Sequence, residues 1–397
     1  MSSSSYRLLL GLSEVRWQAV TGLLAQVTQG AAGVGIILVV RQHTGSLALA
    51  GGVVGALSIG AGVARPLQGR LIDRRGSRSV MAACGVTHAL ALAGIVGLSD
   101  LDAPGGLLVV LGCLAGLALP PVSTSMRVEW RKLVAGDDHT AAYSLVYLTQ
   151  ELSLLAGPLI LAAMIAAASA SLALITVAAV AAAGTLGFAV SIGSPRESGS
   201  AHAAAIGLVL QIRALRLVLA VAALVGAVIG ALEVAAPTLA TAHGAPAAAG
   251  LLIASVSVGG ILGAAIYGSR RWEARPSARL LLLLVLLTTA LVLMIPAHGL
   301  VVVGLLLLFA GVALNPALTT FSLLIDEHVW EQTAGEAFGW LSTAIAVGTG
   351  FASAIAATVA QHHHDARLAF IVAAVAGAAA TGVALHARVI FGRTRQR

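Results

Sequence analysis

Apolar stretches long enough to cross a lipid bilayer follow one another along almost the whole chain. A helix rises about 1.5 Å per residue and needs about 20 apolar residues to span the hydrocarbon core. Twelve stretches reach that length, at roughly 17–40, 46–68, 79–98, 106–128, 141–166, 170–193, 214–241, 247–268, 279–297, 300–323, 336–360 and 368–390. Polar breaks separate them, among them RQHTG at 41–45, DRRGSR at 73–78, RKLVAGDDHT at 131–140 and GSPRESGS at 193–200. With lipid as the solvent, each segment must satisfy its own backbone hydrogen bonds, so the segments are helices. Only 10% of the 397 residues are charged, against about 25% in soluble domains. The expected fold class is therefore an all-α membrane protein, with too little polar chain left over for a soluble catalytic domain.

The basic residues report topology. Alternating the twelve crossings from the N-terminus puts every arginine, and Lys132, at the N-terminal side except Arg41 and Arg367. Basic residues accumulate on the cytoplasmic side of membrane proteins. The asymmetry thus predicts an even count of crossings, both termini in the cytoplasm and a multi-pass protein of the cell membrane. The net charge of +7 then marks orientation, and no nucleic-acid partner is expected. Cys84 and Cys113 lie in apolar runs and read as small packing residues. His88, also within an apolar run, reads as a packed neutral histidine. His362, His363, His364 and Asp365 read as a solvated outer loop, so no metal site is expected. The N-terminal MSSSSYRLLLGL lacks a small-residue cleavage site and reads as a cytoplasmic tail. The phosphate-binding, zinc-protease and nucleophile-elbow patterns do not occur. Neither enzyme activity nor a cofactor is expected.

The chain also repeats. Gly116, Leu119, Pro121 and Thr124 recur 195 residues later as Gly311, Leu314, Pro316 and Thr319, and Ala142-Tyr143 recurs as Ala337-Phe338. Gly60 and Gly69 recur 199 residues later as Gly259 and Gly268. The pattern predicts two pseudo-symmetric six-helix halves, 1–193 and 214–397, joined by a cytoplasmic linker at 194–213. Parallel halves of this kind build one large class of transporters.

The break after the second crossing reads Gly69-Arg-Leu-Ile-Asp73-Arg74-Arg75-Gly76-Ser77-Arg78. It resembles the loop motif of the major facilitator superfamily, G-x-x-x-D-R/K-x-G-R/K-R/K, and falls between helices two and three as it does in that family. Ser77 departs from the basic residue usual there. The second-half counterpart, Gly268-Ser-Arg-Arg-Trp272, keeps the glycine and the charge but not the aspartate. The resemblance implies that Gly69 lets two helices approach and that Asp73 faces the start of helix eleven. Gly76 would allow a tight turn, and Arg74 and Arg78 would pair with acids across the halves as a latch.

Two carboxylates interrupt apolar spans, Glu151 in helix five and Glu233 in helix seven. A charge at mid-membrane costs about 2.5–3.5 kcal/mol on insertion scales, so such a residue faces a cavity or a partner. A carboxyl shielded from water favours its neutral form, and one that alternates between wet and dry surroundings can exchange a proton. Both acids are candidates for proton coupling. Glu233 could equally bind a cationic substrate or pair with Arg41. Tyr143, Tyr147 and Glu151 share one helix face, with Gln150 beside it, and read as cavity lining. Gln26 and Gln29 on helix one and Asn315 on helix ten are further candidate substrate contacts. Gly157-Pro158 resembles the core of the helix-five antiporter motif of drug-exporting family members, although Ser144, Ser153, Leu161 and Ala162 stand at its other glycine positions. By resemblance the chain is a monomeric secondary transporter that exports a small lipophilic or amphipathic compound against protons. Nutrient uptake, and a non-transporting receptor or scaffold, are the alternatives.

Overall fold

A computed structural model describes residues 4–101, 103–134, 136, 138–192, 208–245, 248–363 and 367–393. Among them are fifteen α-helices and no strand: α1 (Ser4–Gly11), α2 (Ser13–Ala25), α3 (Val27–Thr44), α4 (Leu47–Arg75), α5 (Ser77–Asp100), α6 (Gly105–Leu117), α7 (Val122–Leu133), α8 (Asp138–Ala167), α9 (Ala170–Ser191), α10 (Arg213–Ala242), α11 (Ala248–Ser269), α12 (Pro276–Met294), α13 (Leu300–His328), α14 (Ala334–His363) and α15 (Arg367–Arg393). Twelve spans are long and apolar enough to cross a membrane. The first is α2 with α3, the fourth is α6 with α7, and the others are single helices. The N-terminal tail adds a short helix, α1, that the apolar pattern did not announce. The proposed division at 194–213 falls largely on residues outside the described ones.

The fourth crossing breaks where sequence chemistry requires it. Pro120 and Pro121 have no N–H, and α6 stops at Leu117. The break frees main-chain carbonyls inside the bilayer, where no water can take them. Gln68 on α4 fills two of them, its Nε2 donating to Leu117 O at 2.9 Å and Leu119 O at 3.0 Å. The fully buried His88 ring on α5 takes a third, with Nδ1 2.7 Å from Ala115 O. His88 is thus a structural donor, and no proton-relay partner touches its other nitrogen. Pro66, Pro158, Pro237 and Pro316 lie inside helices that continue through them.

The repeat is visible in the packing. Gly60 on α4 lies against the backbone of Cys113 and Leu117 on α6, and Gly116 lies against Leu57 O. In the second half Gly259 on α11 lies against Leu308 on α13, and Gly311 lies against Val256 O. Each residue of the second set is the repeat partner of one in the first. Small residues let membrane helices come into backbone contact, where dispersion rather than hydrophobic burial holds them. Gly226, Gly230 and Gly348 join α10 to α14 in the same way.

Gly116→Val and Gly311→Val should each destabilise the purified protein by about 1–3 kcal/mol, because a side chain there overlaps a carbonyl that cannot move alone. Gly55→Ala, which meets nothing within 4 Å, should melt like the parent. Thermal unfolding in detergent checks the contrast.

Candidate functional site

The two sets of six helices meet most closely at the face that carries the arginine-rich loops. Asp73 stands near the end of α4, and the first turn of α14 points at it. Its Oδ1 accepts the Gly335 N–H at 2.7 Å and its Oδ2 the Glu336 N–H at 2.8 Å. The first amides of a helix have no partner within it, and the helix dipole adds positive potential there. Hydrogen bonds to a charged group contribute about 1.5–3 kcal/mol each. The carboxylate reaches them because Gly69 and Gly335 press backbone to backbone, with Gly339 against Arg65 one turn deeper. Gly76 ends α4 at φ 77°, a turn that favours glycine. Arg74 and Arg78 are exposed and pair with no acid among the described residues.

The ionic latch across the halves is made by other residues. Arg131 on α7 pairs through Nε with Asp326 on α13, and its Nη2 donates to Val329 O at 3.2 Å. His139 on α8 sets Nδ1 2.9 Å from the other Asp326 oxygen. Tyr143 meets Phe338 edge to face, ring centroids 5.9 Å apart. Sequence reading used Arg131 only for topology and Phe338 only as the repeat partner of Tyr143, and did not mark Asp326 or His139. A signal existed: Arg131 and Asp326 are 195 residues apart, and so are Tyr143 and Phe338. Repeat-related residues that touch each other lie on the pseudo-two-fold axis.

Glu151 lies deeper, four turns into α8 and half-buried. Its Oε1 accepts from Asn315 Nδ2 on α13 at 3.2 Å, and the Ser257 hydroxyl on α11 is also within hydrogen-bonding reach. Both partners belong to the second half of the chain. Beside it, the Ser123 hydroxyl lies 3.0 Å from Gln26 Oε1 and 3.2 Å from Gln150 Oε1. Gln26 is fully buried and ties its Nε2 to Gly22 O at 3.0 Å. Gln29 is half-buried, with no side-chain partner among the described residues. Gly157 seats α8 on the Val27 carbonyl, and Pro158 touches the Gly30 position.

Three expected cavity residues sit differently. Tyr143 and Tyr147 are buried in the closed end below Glu151, and neither lines open space in this state. Glu233 is exposed on α10 and has no hydrogen-bond or ion-pair partner among the described residues; Arg41 does not reach it. The structure does not bring Glu233 and Glu151 together.

Arg127 on α7 points inward rather than toward the interface with water. It is 3% exposed, and its guanidinium lies 4.9 Å from the Tyr147 ring centroid and 5.7 Å from that of Phe338. Nε and Nη1 have no hydrogen-bond partner among the described residues. Arg65 on α4 is near enough for the two cations to repel. Cation–π contacts return about 0.5–2 kcal/mol, less than the several kcal/mol that burying an unpaired ion costs.

Hydrogen bonds between the two sets of helices run from the arginine-rich face to the level of Glu151. Toward the opposite face, the contacts His43 to Asp100 (2.8 Å) and Arg367 to His298 (3.0 Å) each stay within one set. Among the described residues, the hydrogen bonds and ion pairs that join the two sets lie at the arginine-rich face and reach to the level of Glu151. The sequence profile described as Major Facilitator Superfamily matches residues 19–353. The chain belongs to that family. Solved structures agree with the fold of this superfamily member. A bacterial homologue of the iron transporter ferroportin, in an outward-facing state, superposes with TM-score 0.78 at 15% identity, over 94% of this chain and 99% of that one. The E. coli fucose:proton symporter FucP gives 0.72 at 14%, over 97% and 99%. The human organic anion transporter MFSD10 gives 0.72 at 15%, over 96% and 99%. No curated protein matches the sequence. The protein is a multi-pass membrane transporter with a small-molecule substrate, not an enzyme.

Asp73→Asn should weaken the latch between α4 and α14. In a variant with Cys84 and Cys113 replaced by alanine, a cysteine at Thr343, whose hydroxyl now donates to Gly62 O at 3.1 Å, should label severalfold faster once Asp73 is changed. Maleimide labelling rates in proteoliposomes read this directly.

Proposed function

We propose that this superfamily member is a proton-coupled secondary transporter that exports a small amphipathic compound by rocking two six-helix halves, 1–193 and 214–397, about a central site. The observation that carries the reading is the bond from Glu151 to Asn315 across the halves. A carboxyl bonded across the interface that must open is released whenever the halves part, and its proton affinity changes as its partners and solvent change. Closing the opposite face would strip it of water again. That sequence links proton exchange to the direction the cavity faces.

The arginine-rich face is the cytoplasmic one on this reading, following the bias of basic residues. Both termini are then cytoplasmic, the membrane is the cell membrane, and the latched state is open to the outside. Asp73 and the Arg131–Asp326–His139 group hold that state and release on alternation. Gln26, Gln150, Ser123 and Asn315 offer neutral polar contacts around the site, which suits a weakly polar ligand. Gly157 and Pro158 set the packing of α8 on α3, and their likeness to the helix-five antiporter pattern favours export. Glu233, exposed and unpartnered here, is proposed as a second proton or substrate contact that becomes engaged when α10 moves. The working unit is proposed to be the monomer, since each half supplies part of one site.

Glu151→Gln should abolish proton-driven substrate movement in proteoliposomes with an imposed pH gradient and leave substrate exchange intact. Unchanged coupling in that variant would remove Glu151 from the mechanism. Cells making the protein should accumulate less of a transported compound than cells without it; greater accumulation would replace export with uptake.

A further inference from the structure

We infer that Arg127 and Arg65 form the floor of the substrate site and bind the carboxylate or similar oxyanion group of an amphipathic organic anion. The inference rests on the transporter reading and names the substrate class that reading leaves open. Arg127 is buried on α7 with two nitrogens unpartnered among the described residues, and Arg65 on α4, whose backbone packs on Gly339 beside the Phe338 ring, adds a second positive charge. No carboxylate reaches salt-bridge distance of either guanidinium among the described residues. Four acids near this face have partners of their own among the described residues. Asp73 holds the α14 amides, Asp326 holds Arg131 and His139, and Glu129 holds Lys132 and Ser77. Glu336 accepts from Trp340 Nε1 at 3.4 Å.

The position suits a ligand head group. Ser123 lies one turn above Arg127 on the same face of α7, and Glu151 lies one turn above Tyr147 on α8. Arg127 over the Tyr147 ring therefore sits directly beneath the polar cluster of Ser123, Gln26 and Gln150. An unpaired buried guanidinium needs a counter-ion, and its planar fork matches the two oxygens of a carboxylate. The Tyr147 and Phe338 rings that flank it are packed shut in this state and would part to take the first apolar atoms of the ligand. Arg127 faces α8 and α14 rather than the outer surface of the bundle, which favours a ligand from the central cavity over a lipid phosphate.

The test is thermal unfolding of the purified full-length protein with three probes of equal shape and different charge: 4-phenylbutyrate, 4-phenylbutyramide and 4-phenylbutylamine. The carboxylate should raise the melting temperature in a saturable way, and the amide and amine should not. Arg127→Gln should weaken the carboxylate at least about tenfold, the loss expected for one charge-assisted pair. Arg127→Lys should lose less. If Arg127→Gln does not fold, Arg65→Gln and Arg127→Lys carry the test, each with reduced carboxylate affinity. Equal stabilisation by the amide, an unaltered response in these variants, or no response of the parent to the carboxylate overturns the proposal. So does a shift of the parent, absent in Arg127→Gln, when phosphatidylglycerol replaces phosphatidylcholine in nanodiscs, which would assign the site to a lipid head group. Melting needs neither a gradient nor turnover. Carboxylate binding without flux would therefore overturn the transport reading alone, and flux without carboxylate binding would overturn this one alone.

Discussion

Water is missing from the bilayer core, and most of the polar architecture answers that shortage. A carbonyl, amide or charge placed there must find its partner inside the protein. The proline pair at 120–121 releases carbonyls, and Gln68 and His88 reach across from neighbouring helices to take them. The first amides of α14 are unpaired by helix geometry, and Asp73 takes them from α4. In each case the partner comes from another helix, so satisfying the backbone also joins the bundle. Arg127, like Arg279 on α12, is a buried guanidinium with two nitrogens that find no hydrogen-bond partner among the described residues.

The duplicated plan explains where the halves touch. A pseudo-two-fold axis brings repeat-related residues face to face only along the axis itself, and Arg131–Asp326 and Tyr143–Phe338 are such pairs. Divergence of the repeats has made one member basic and the other acidic, converting a symmetric contact into an ion pair. Away from the axis the repeats differ more. The α4–α14 junction has Asp73, whereas the corresponding α8–α11 junction carries Trp272 at the equivalent position and is wedged by Tyr6, whose hydroxyl donates to Ala264 O at 2.9 Å. The first junction is held by a carboxylate on helix amides, and the second by the Tyr6 wedge with an Arg271–Asp138 pair at 4.0 Å on its rim.

These contacts lie at one end of the bundle, and the acid of mid-membrane depth lies at their inner limit. An opening motion would therefore break the Asp326 pairs, the Asp73 bonds and the bond of Glu151 to Asn315 together. Backbone contacts through Gly60, Gly116, Gly259 and Gly311 stay within a half and keep each one stiff. Stiff halves joined by a breakable polar seam are what rocking requires.

The sequence by itself determined the helical class, the twelve crossings, the clustering of basic residues at one face and the duplication, because each is a property of composition or spacing along a single line. Gly69 and Asp73 were legible for the same reason, since a loop motif is local. The tertiary structure alone decided what Glu151, Asp326 and Arg127 touch. Glu151 and Asn315 are 164 residues apart, and nothing in the spacing of either helix says which face meets which. It also moved Tyr143 and Tyr147 from an expected open wall into a sealed end, because exposure of a helix face in a transporter depends on which side of the bundle is closed. Arg127 carried no usable signal in one dimension: an arginine near a helix end snorkels or turns inward according to neighbours that only folding supplies.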